Sequence, residues 1–433
     1  MPHLGLLLVQ IAVIVVAARA VGFLFRRIAQ PQVMGEMVAG ILLGPSLLGW
    51  LAPEVSSALF PAESLGFLNS ISQVGLLVFM FLVGLELNPR LLRGRGLTAL
   101  VASHASITIP LFLGSLLALR LYPRLSDAGV TFTAFALFMG TAMSVTAFPV
   151  LARILTERDL LRTRVGAVAL ACAAVGDVTA WCILAGVVAL VRAHDAALPW
   201  WATVLGSAAF VAAMIFLVRP LLVRLERRHQ RDGRVTEDVL AIVFLVTLAA
   251  AWTTEALGVH ALFGAFLAGV VMPRGEGFVH GITGKLEDVT VVLLLPLFFA
   301  FTGLRTRIGL VEGMEMWGWC ALIVLVAIAG KLGGGAVAAR MTGMTWREAG
   351  AIGTLMNTRG LMELVILNIG LDIGVISPAV FAMMVLMALA TTFMTTPLLE
   401  LVYPARLIRR AGLGDAEEED GEEGEGERVA LIV

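Results

Sequence analysis

Eight ionisable residues lie within long apolar stretches of the sequence. Placing a charged side chain in an apolar environment costs free energy, so each of these residues is by default a candidate functional residue. They are Arg19, Glu36, Glu86, Asp177, Glu255, Lys331, Arg359 and Glu363. Asp177 is the sharpest candidate, because it lies in the small-residue stretch CAAVGDVTAW (Cys172–Trp181), which lets other backbones approach its carboxylate. A bare anion is disfavoured there, so a proton and a metal cation would compete for one group, the minimal chemistry of ion exchange. A structural hydrogen bond or ion pair is the alternative.

A proline interrupts a second polar stretch, GTAMSVTAFPV (Gly140–Val150). Pro149 has no backbone N–H, so it leaves the carbonyl of Val145 without its helical partner, and Ser144 and Thr146 add hydroxyl oxygens nearby. Irregular backbone at membrane depth is tolerated only inside protein or beside a cavity, where freed carbonyls can coordinate a cation. We therefore predict a broken helix here; a plain proline kink is the alternative.

A second break is predicted within GTLMNTRGLMELV (Gly353–Val365), because the run from Asn357 to Gly360 is a poor helix former. Arg359 and Glu363 are four residues apart on one helix face, so a mutual ion pair is the simplest role for both. Such a pair would help to hold the broken helix together.

Lys331, in AGKLGGG (Ala329–Gly335), is the only lysine within an apolar segment, and arginine outnumbers lysine 29 to 2 in the chain. Lysine is the cation whose charge changes more readily on burial. We expect Lys331 to tune the charge of the site, paired with Asp177 or with a carbonyl at a helix break. Snorkelling of its ammonium to the surface is the alternative.

Composition places these residues in a membrane protein. The chain has 433 residues, of which 59% are apolar and 15% charged, against about 45–50% and about 25% in soluble domains. The net charge of −1 gives no support for nucleic-acid binding, and three cysteines exclude a disulfide scaffold. Metal-ligand spacing, a nucleophile elbow and a P-loop are absent from the sequence. We therefore expect neither an enzyme nor a cofactor.

Thirteen apolar segments are predicted to be membrane helices, since a spanning helix needs about 20 mostly apolar residues. They are 4–24, 33–50, 65–87, 97–118, 130–152, 165–191, 200–222, 237–256, 259–272, 286–303, 317–339, 348–371 and 377–400. The ninth is too short to span straight. With the N-terminus outside, 22 lysines and arginines fall in cytoplasmic loops and five in outer loops. The positive-inside rule therefore predicts an outer N-terminus and a cytoplasmic C-terminus.

The chain also resembles itself at long range. GEMVAG (Gly35–Gly40) in the second segment matches GAFLAG (Gly264–Gly269) in the ninth, and FMFLVGL (Phe79–Leu85) in the third matches FFAFTGL (Phe298–Leu304) in the tenth. GTAMS in the fifth segment matches GTLMN in the twelfth. Each match pairs a segment with the seventh one after it. Successive membrane helices alternate in direction, so two helices separated by an odd number run in opposite directions. We predict an inverted-topology repeat, helices 1–6 against 8–13, of the kind found in secondary transporters; chance matching is the alternative.

This organisation divides the chain into a transmembrane domain, 1–403, and a tail, 404–433. Repeat one covers about 4–191, the linker helix about 200–222 and repeat two about 237–400. Residues 414–433 hold nine acids and one base, so the tail is predicted to be cytoplasmic, acidic and disordered.

At these residues the chain resembles the monovalent cation:proton antiporter superfamily, and most of all the branch that contains plant cation/proton exchangers and bacterial glutathione-gated potassium efflux systems. The matching stretches extend over nearly the whole membrane part. They are QPQVMGEMVAGILLGPSLLG (Gln30–Gly49), GLLVFMFLVGLEL (Gly75–Leu87), AMSVTAFPVLARIL (Ala142–Leu155), VGDVTAW (Val175–Trp181) and LMNTRGLMELVILNIGLDIGVIS (Leu355–Ser377).

The resemblance implies an all-α polytopic protein with two crossed broken helices in a core domain, a separate dimerisation domain and a homodimer. It implies exchange of Na⁺ or K⁺ for protons by elevator-like alternating access, in an inner or plasma membrane. By motif position, the family's ion-binding aspartate maps to Asp177 and its core-domain lysine to Lys331. The residues of its broken helices map to Ser144, Thr146 and Asn357, so the monovalent cation is expected at Asp177.

Two features depart from these relatives. Some relatives carry two adjacent acids where this chain has Gly176-Asp177, so we expect a one-for-one, electroneutral cycle. The potassium-efflux relatives continue into a cytoplasmic nucleotide-binding domain, and this chain has no G-x-G-x-x-G after a predicted strand. We therefore expect no nucleotide-binding domain in this chain.

Other functions share parts of the pattern. A sodium-coupled transporter of a small organic solute, such as a bile acid, would use a similar inverted-repeat fold. A channel would conduct ions without coupling to protons. A non-transport membrane scaffold would leave the central Asp177 unexplained.

Overall fold

The computed structural model describes residues 4–86, 96–127, 129–158, 160, 163–192, 200–232 and 235–404. Over these residues the chain is helical and contains no β-strand, because only a helix satisfies every backbone N–H and C=O within one apolar segment. The predicted tail, except for its first residue, lies outside the described residues.

Helices of the first repeat are α1 (Leu4–Arg27), α2 (Gln32–Leu43), α3 (Leu48–Leu51), α4 (Pro53–Leu59), α5 (Ala62–Glu86), α6 (Gly96–Leu125), α7 (Phe132–Ser144), α8 (Phe148–Glu157) and α9 (Arg164–Arg192). The linker is α10 (Trp200–Ala213), a π-helical turn (Met214–Val218) and α11 (Arg219–Asp232). The second repeat begins with α12 (Glu237–Ala256), α13 (Ala261–Val271), α14 (Glu276–Val289), a π-helical turn (Thr290–Leu294), α15 (Leu295–Arg305) and a 3₁₀ turn (Ile308–Leu310). It ends with α16 (Gly313–Ile328), a π-helical turn (Ala329–Gly333), α17 (Gly334–Met341), α18 (Trp346–Met356), α19 (Leu361–Asp372) and α20 (Pro378–Val402).

Eleven helical segments within the described residues are long and apolar enough to cross a membrane. The ninth predicted segment corresponds to α13, which has only 11 residues, and the twelfth corresponds to the pair α18 and α19. The all-helical polytopic architecture is confirmed, whereas the count of thirteen crossings stays a prediction.

The two repeats interlock through closely packed glycines. A Cβ atom on Gly303 of α15 would overlap the backbone of Gly40 in α2, and a Cβ atom on Gly269 of α13 would meet the backbone of Gly84 in α5. In the repeat, Gly40 matches Gly269 and Gly84 matches Gly303. The second contact is therefore the first with the two repeats exchanged, as an inverted repeat requires.

Both predicted helix breaks are present. The first separates α7 from α8 at residues 145–147, where Val145 is extended with φ −72° and ψ 142°. Pro149 lies in the first turn of α8, a position where a missing N–H leaves no helical hydrogen bond unmade. The second break separates α18 from α19 at residues 357–360.

The two breaks contact each other directly, at a point that we call the crossing. The backbone N–H of Ala147 donates to the carbonyl of Thr358 at 3.0 Å, and Thr146 Oγ1 donates to the carbonyl of Met356 at 3.1 Å. Each break thus satisfies polar backbone groups of the other, which is what allows irregular chain to persist at this depth.

Candidate ion-binding site

Asp177 lies on α9 beside the crossing and is only 1% exposed. The backbone N–H of Phe148, the first residue of α8, approaches its carboxylate. Neither carboxylate oxygen, however, has a partner of hydrogen-bond geometry among the described residues. Buried polar atoms in native proteins almost always have a partner, so the carboxylate is open to a proton or a cation.

The N-terminus of α8 is the electrostatic feature that faces this carboxylate. A helix N-terminus carries partial positive charge from its unpaired N–H groups and favours an anion. The break therefore has a physical consequence for Asp177, since an unbroken helix would have no N-terminus at this depth.

Lys331 lies in the π-helical turn between α16 and α17 and is fully buried. Its Nζ donates to Thr146 Oγ1 at 2.7 Å, so Thr146 connects the lysine to the second break through its own bond to Met356. From sequence we expected Asp177 or a freed carbonyl as the partner. The structure gives a side-chain hydroxyl at the first break instead, and no ion pair joins Lys331 to Asp177 in the part of the chain that the structure describes.

Arg359 and Glu363 form an ion pair of 3.0 Å, and both side chains are fully buried. The same guanidinium donates to the carbonyls of Ala142 at 3.0 Å and Met143 at 2.7 Å, in the last turn of α7. These carbonyls have no helical partner, and a cation at a helix C-terminus stabilises them. Arg359 therefore closes the end of α7 as well as balancing Glu363.

A threonine-rich stretch of α20 fixes the backbone of the second break. Thr392 Oγ1 accepts from the N–H of Arg359 at 2.9 Å and donates to its carbonyl at 2.8 Å. Asn357 Nδ2 donates to the carbonyl of Thr391 at 3.3 Å. Sequence reasoning missed these residues, although the polar run TTFMTT in an otherwise apolar helix was a signal that could have found them.

Five buried oxygens near the two breaks lack a hydrogen-bond partner among the described residues. They are Asp177 Oδ1 and Oδ2, Asn357 Oδ1, Thr358 Oγ1 and Glu363 Oε2. The other oxygen of Glu363 is paired with Arg359. Ser144 differs, because its hydroxyl already donates to the carbonyl of Thr141 at 2.8 Å within α7. Carboxylate, amide and hydroxyl oxygens are hard ligands that suit hard cations. Thr358 was not among the sequence candidates.

Three further acids lie within the predicted apolar segments: Glu86 is exposed at the last residue of α5, whereas Glu36 and Glu255 have local partners. Glu36 accepts from Gln32 Nε2 at 2.9 Å and lies 3.9 Å from the guanidinium of Arg19. Glu255 accepts from the N–H of Ala261 at 2.9 Å, at the turn between α12 and α13. These contacts tie helices to their neighbours.

Comparison with known proteins agrees with this architecture. A family model described as the transmembrane sodium/hydrogen exchanger matches residues 11–401. The Na⁺/H⁺ antiporter NhaS4 of Synechocystis is 43% identical over 403 residues, which cover 92% of this chain and 98% of that protein. Cation/H⁺ antiporter 17 of Arabidopsis thaliana is 41% identical over 94% of this chain, but the match spans only 50% of that relative.

Two further matches broaden the comparison. K⁺/H⁺ antiporter 1 of Saccharomyces cerevisiae is 35% identical over 428 residues, which cover 96% of this chain and 49% of that protein. The structure of the sodium proton antiporter MjNhaP1 from Methanocaldococcus jannaschii matches with a TM-score of 0.64 over 94% of this chain and 99% of that one, at 13% identity. At that identity the match is evidence for the fold alone.

Proposed function

Since the chain belongs to the sodium/hydrogen exchanger family of multi-pass membrane proteins, we propose that it is a secondary active antiporter that exchanges Na⁺ or K⁺ for H⁺ by alternating access. One observation carries the proposal: the Asp177 carboxylate is buried beside two crossed helix breaks and has no hydrogen-bond partner among the described residues. A group of that kind can release a proton only if something else offsets its charge.

In the proposed cycle, Asp177 gives its proton to water on one side as a dehydrated cation binds, and takes up a proton on the other side as the cation leaves. The α8 N-terminus stabilises the anion between these events. Oxygens of Asn357, Ser144 and Thr146 complete or shape the site, and we add Thr358 because its hydroxyl is buried and unpartnered. No step needs an enzyme reaction or a cofactor.

Lys331 and Arg359 have different roles in this proposal. Lys331 tunes the charge of the site through Thr146, whereas Arg359 and Glu363 form a structural pair that neutralises itself. Asp177 is the one buried acid without a partner among the described residues, so the proposed cycle exchanges one cation for one proton and is electroneutral.

The wider organisation is proposed on the same basis. The protein forms a homodimer in an inner or plasma membrane, with its N-terminus outside and its C-terminus in the cytoplasm. The loop charges support this orientation, since 22 bases fall on the cytoplasmic side and five on the outer side. The transmembrane domain is 1–403, and the acidic 404–433 is a separate cytoplasmic tail.

Proteoliposomes test the proposal directly. A pH-sensitive dye trapped inside should report proton movement when Na⁺, K⁺ or Li⁺ is added outside, and Asp177→Asn should abolish the signal. Equal flux in Asp177→Asn would overturn the role of the carboxylate. Cation flux that ignores an imposed pH gradient would identify a channel, and a response to an organic solute alone would identify a solute transporter.

A further inference from the structure

A four-residue network joins α15 to the end of α19 that lies farthest from the crossing. Arg305 Nη2 lies 2.6 Å from Asp372 Oδ1, and Arg305 Nη1 donates to Asn368 Oδ1 at 3.1 Å. Asn368 Nδ2 in turn donates to Thr302 Oγ1 at 2.9 Å. We call Thr302, Arg305, Asn368 and Asp372 the α15–α19 clamp.

The clamp has a buried part and an exposed part. Asn368 and Thr302 are 4% and 2% exposed, whereas the side chains of Arg305 and Asp372 are 23% and 39% exposed. The ion pair therefore closes over a buried hydrogen bond at the edge of the protein. The Arg305 guanidinium also lies 5.4 Å from the ring centre of Phe301, which restricts its rotation.

One side of the clamp, α15, packs against α2 through closely packed glycines. Gly303, two residues before Arg305, packs on the backbone of Gly40 in α2. Just beyond α15, Ser46 Oγ donates to the carbonyl of Thr306 at 2.6 Å and accepts from the N–H of Ile308 at 3.1 Å. The end of α15 is thus held on two sides by the α2 region.

The other side of the clamp is α19, which begins at Leu361 directly after the second break. α19 has 12 residues, so Asp372 lies at the far end of a helix about 18 Å long. A movement of the crossing relative to α15 is transmitted along α19 and must strain or open the clamp.

At the corresponding positions, the first repeat does not carry the residue types of the clamp. In the repeat register, Glu86 of α5 corresponds to Arg305, Val83 to Thr302 and Leu155 of α8 to Asn368. Asp372 corresponds to Asp159, which lies outside the described residues. Two acids cannot form the ion pair of an arginine and an acid, and two apolar side chains cannot form the hydrogen bonds.

We propose that the α15–α19 clamp is a one-sided latch on alternating access, closed in one of the two transport states and open in the other. The latch rests on the alternating access of the proposed function. In the proposed orientation Arg305 is on the outer side, so a closed clamp favours the inward-facing state. A contact present in only one state shifts a two-state equilibrium by its own free energy.

The test measures cation affinity separately from the two sides of oriented vesicles. Asp372→Asn removes the ion pair while nearly preserving size. It should lower the half-saturating cation concentration from the outside, by up to about fivefold, and raise that from the inside. The charge exchange Arg305→Asp with Asp372→Arg should restore both values toward wild type.

A matched control lies on the same side of the membrane. Arg124 and Glu315 form an exposed ion pair of 3.6 Å between α6 and α16, and Glu315→Gln should change neither affinity. If Asp372→Asn shifts both affinities in the same direction, or neither, the latch is refuted and the clamp is only a structural contact.

Hydrogen–deuterium exchange separates this result from failure of the transport proposal. Amide exchange in α19 should be faster in Asp372→Asn than in wild type, whether or not the protein exchanges cations for protons. Absent antiport in wild type would overturn the proposed function alone, whereas unchanged α19 protection in Asp372→Asn would overturn the clamp.

Discussion

The two helix breaks share a design and differ in how their charges are balanced. At the second break, Arg359 is matched by Glu363 and by two carbonyls of α7. At the first break, the α8 N-terminus faces Asp177, whose oxygens have no hydrogen-bond partner among the described residues. The charges of Arg359 and Glu363 balance each other within the protein, whereas in the proposed function the charge of Asp177 is balanced by a bound proton or cation.

This difference separates two buried acids that look alike in the sequence. Asp177 and Glu363 are both acids in apolar helices, and both are buried. A buried charge that is paired is part of the structure, whereas one left unpaired must be neutralised from outside. Pairing, not burial, separates the candidate functional acid from the structural one.

The largest predicted effect, and the strongest test of the difference between the two breaks, is at Asp177. In wild type, Na⁺ or K⁺ at about 100 times its dissociation constant should stabilise the protein by about 2.7 kcal/mol. Asp177→Asn should abolish this stabilisation and the antiport, while the melting temperature without cation is unchanged or higher because an uncompensated buried acid has been removed. Thermal denaturation with and without each cation checks this, with Glu255→Gln as a control that should keep the cation response.

The opposite result is expected at the second break. Arg359→Met leaves Glu363 buried without its partner, which should destabilise the protein by about 3–5 kcal/mol. Adding Glu363→Met should restore part of that loss, and the remainder measures the capping of α7 by Arg359. A single variant as stable as wild type, in thermal or denaturant unfolding, would contradict the structural role.

A smaller effect is expected where the two breaks meet through Thr146. Thr146→Val removes the acceptor of Lys331, and a hydrogen bond to a charged group contributes about 1.5–3 kcal/mol. We expect antiport to fall by about tenfold or more, while Thr146→Ser, which keeps the hydroxyl, stays close to wild type. Initial rates of dye quenching measure both, and equal rates in the two variants would show that Lys331 acts without Thr146.

The smallest predicted effect concerns Thr358, which lies within the second break. Thr358 lies beside Arg359, yet its hydroxyl is buried without a partner in the described structure. Thr358→Val should leave stability unchanged or raise it. It should weaken cation binding by about fivefold, taking the loss of one coordinating oxygen as equal to about 1 kcal/mol, the net contribution of one hydrogen bond. Stability lost together with unchanged cation affinity would place Thr358 with the structural residues.

Local sequence was sufficient to predict the helices and both breaks. The proline at 149 and the run from Asn357 to Gly360 interrupt helical patterns, and the small residues before Asp177 mark a closely packed helix. These features depend on the chain within one or two turns, where propensity and periodicity apply.

The partners across helices were not predictable in the same way. The acceptors of Arg359 in α7 are backbone carbonyls of the other repeat. Every residue has a backbone carbonyl, so the sequence does not indicate which of them accept from Arg359. The choice of Thr146 over Asp177 by Lys331 depends on how helices are rotated against each other. Both contacts depend on how neighbouring helices are placed against each other, and the spacing of residues within one helix carries no information about that placement.

The π-helical turn that carries Lys331 gives the chain a length constraint at this point. Five residues, Ala329–Gly333, form this turn between α16 and α17, and a helix with i→i+5 bonds holds more residues per turn than a regular one. Five residues of such a wide turn rotate the chain by about the same angle as four residues of regular helix, so α17 keeps its orientation and Gly335 its place against Gly353 of α18. Deletion of one residue here would let regular helix form with α17 still in register, whereas one more inserted residue would rotate α17 by about 100°. The segment should therefore tolerate the loss of one residue better than the gain of one.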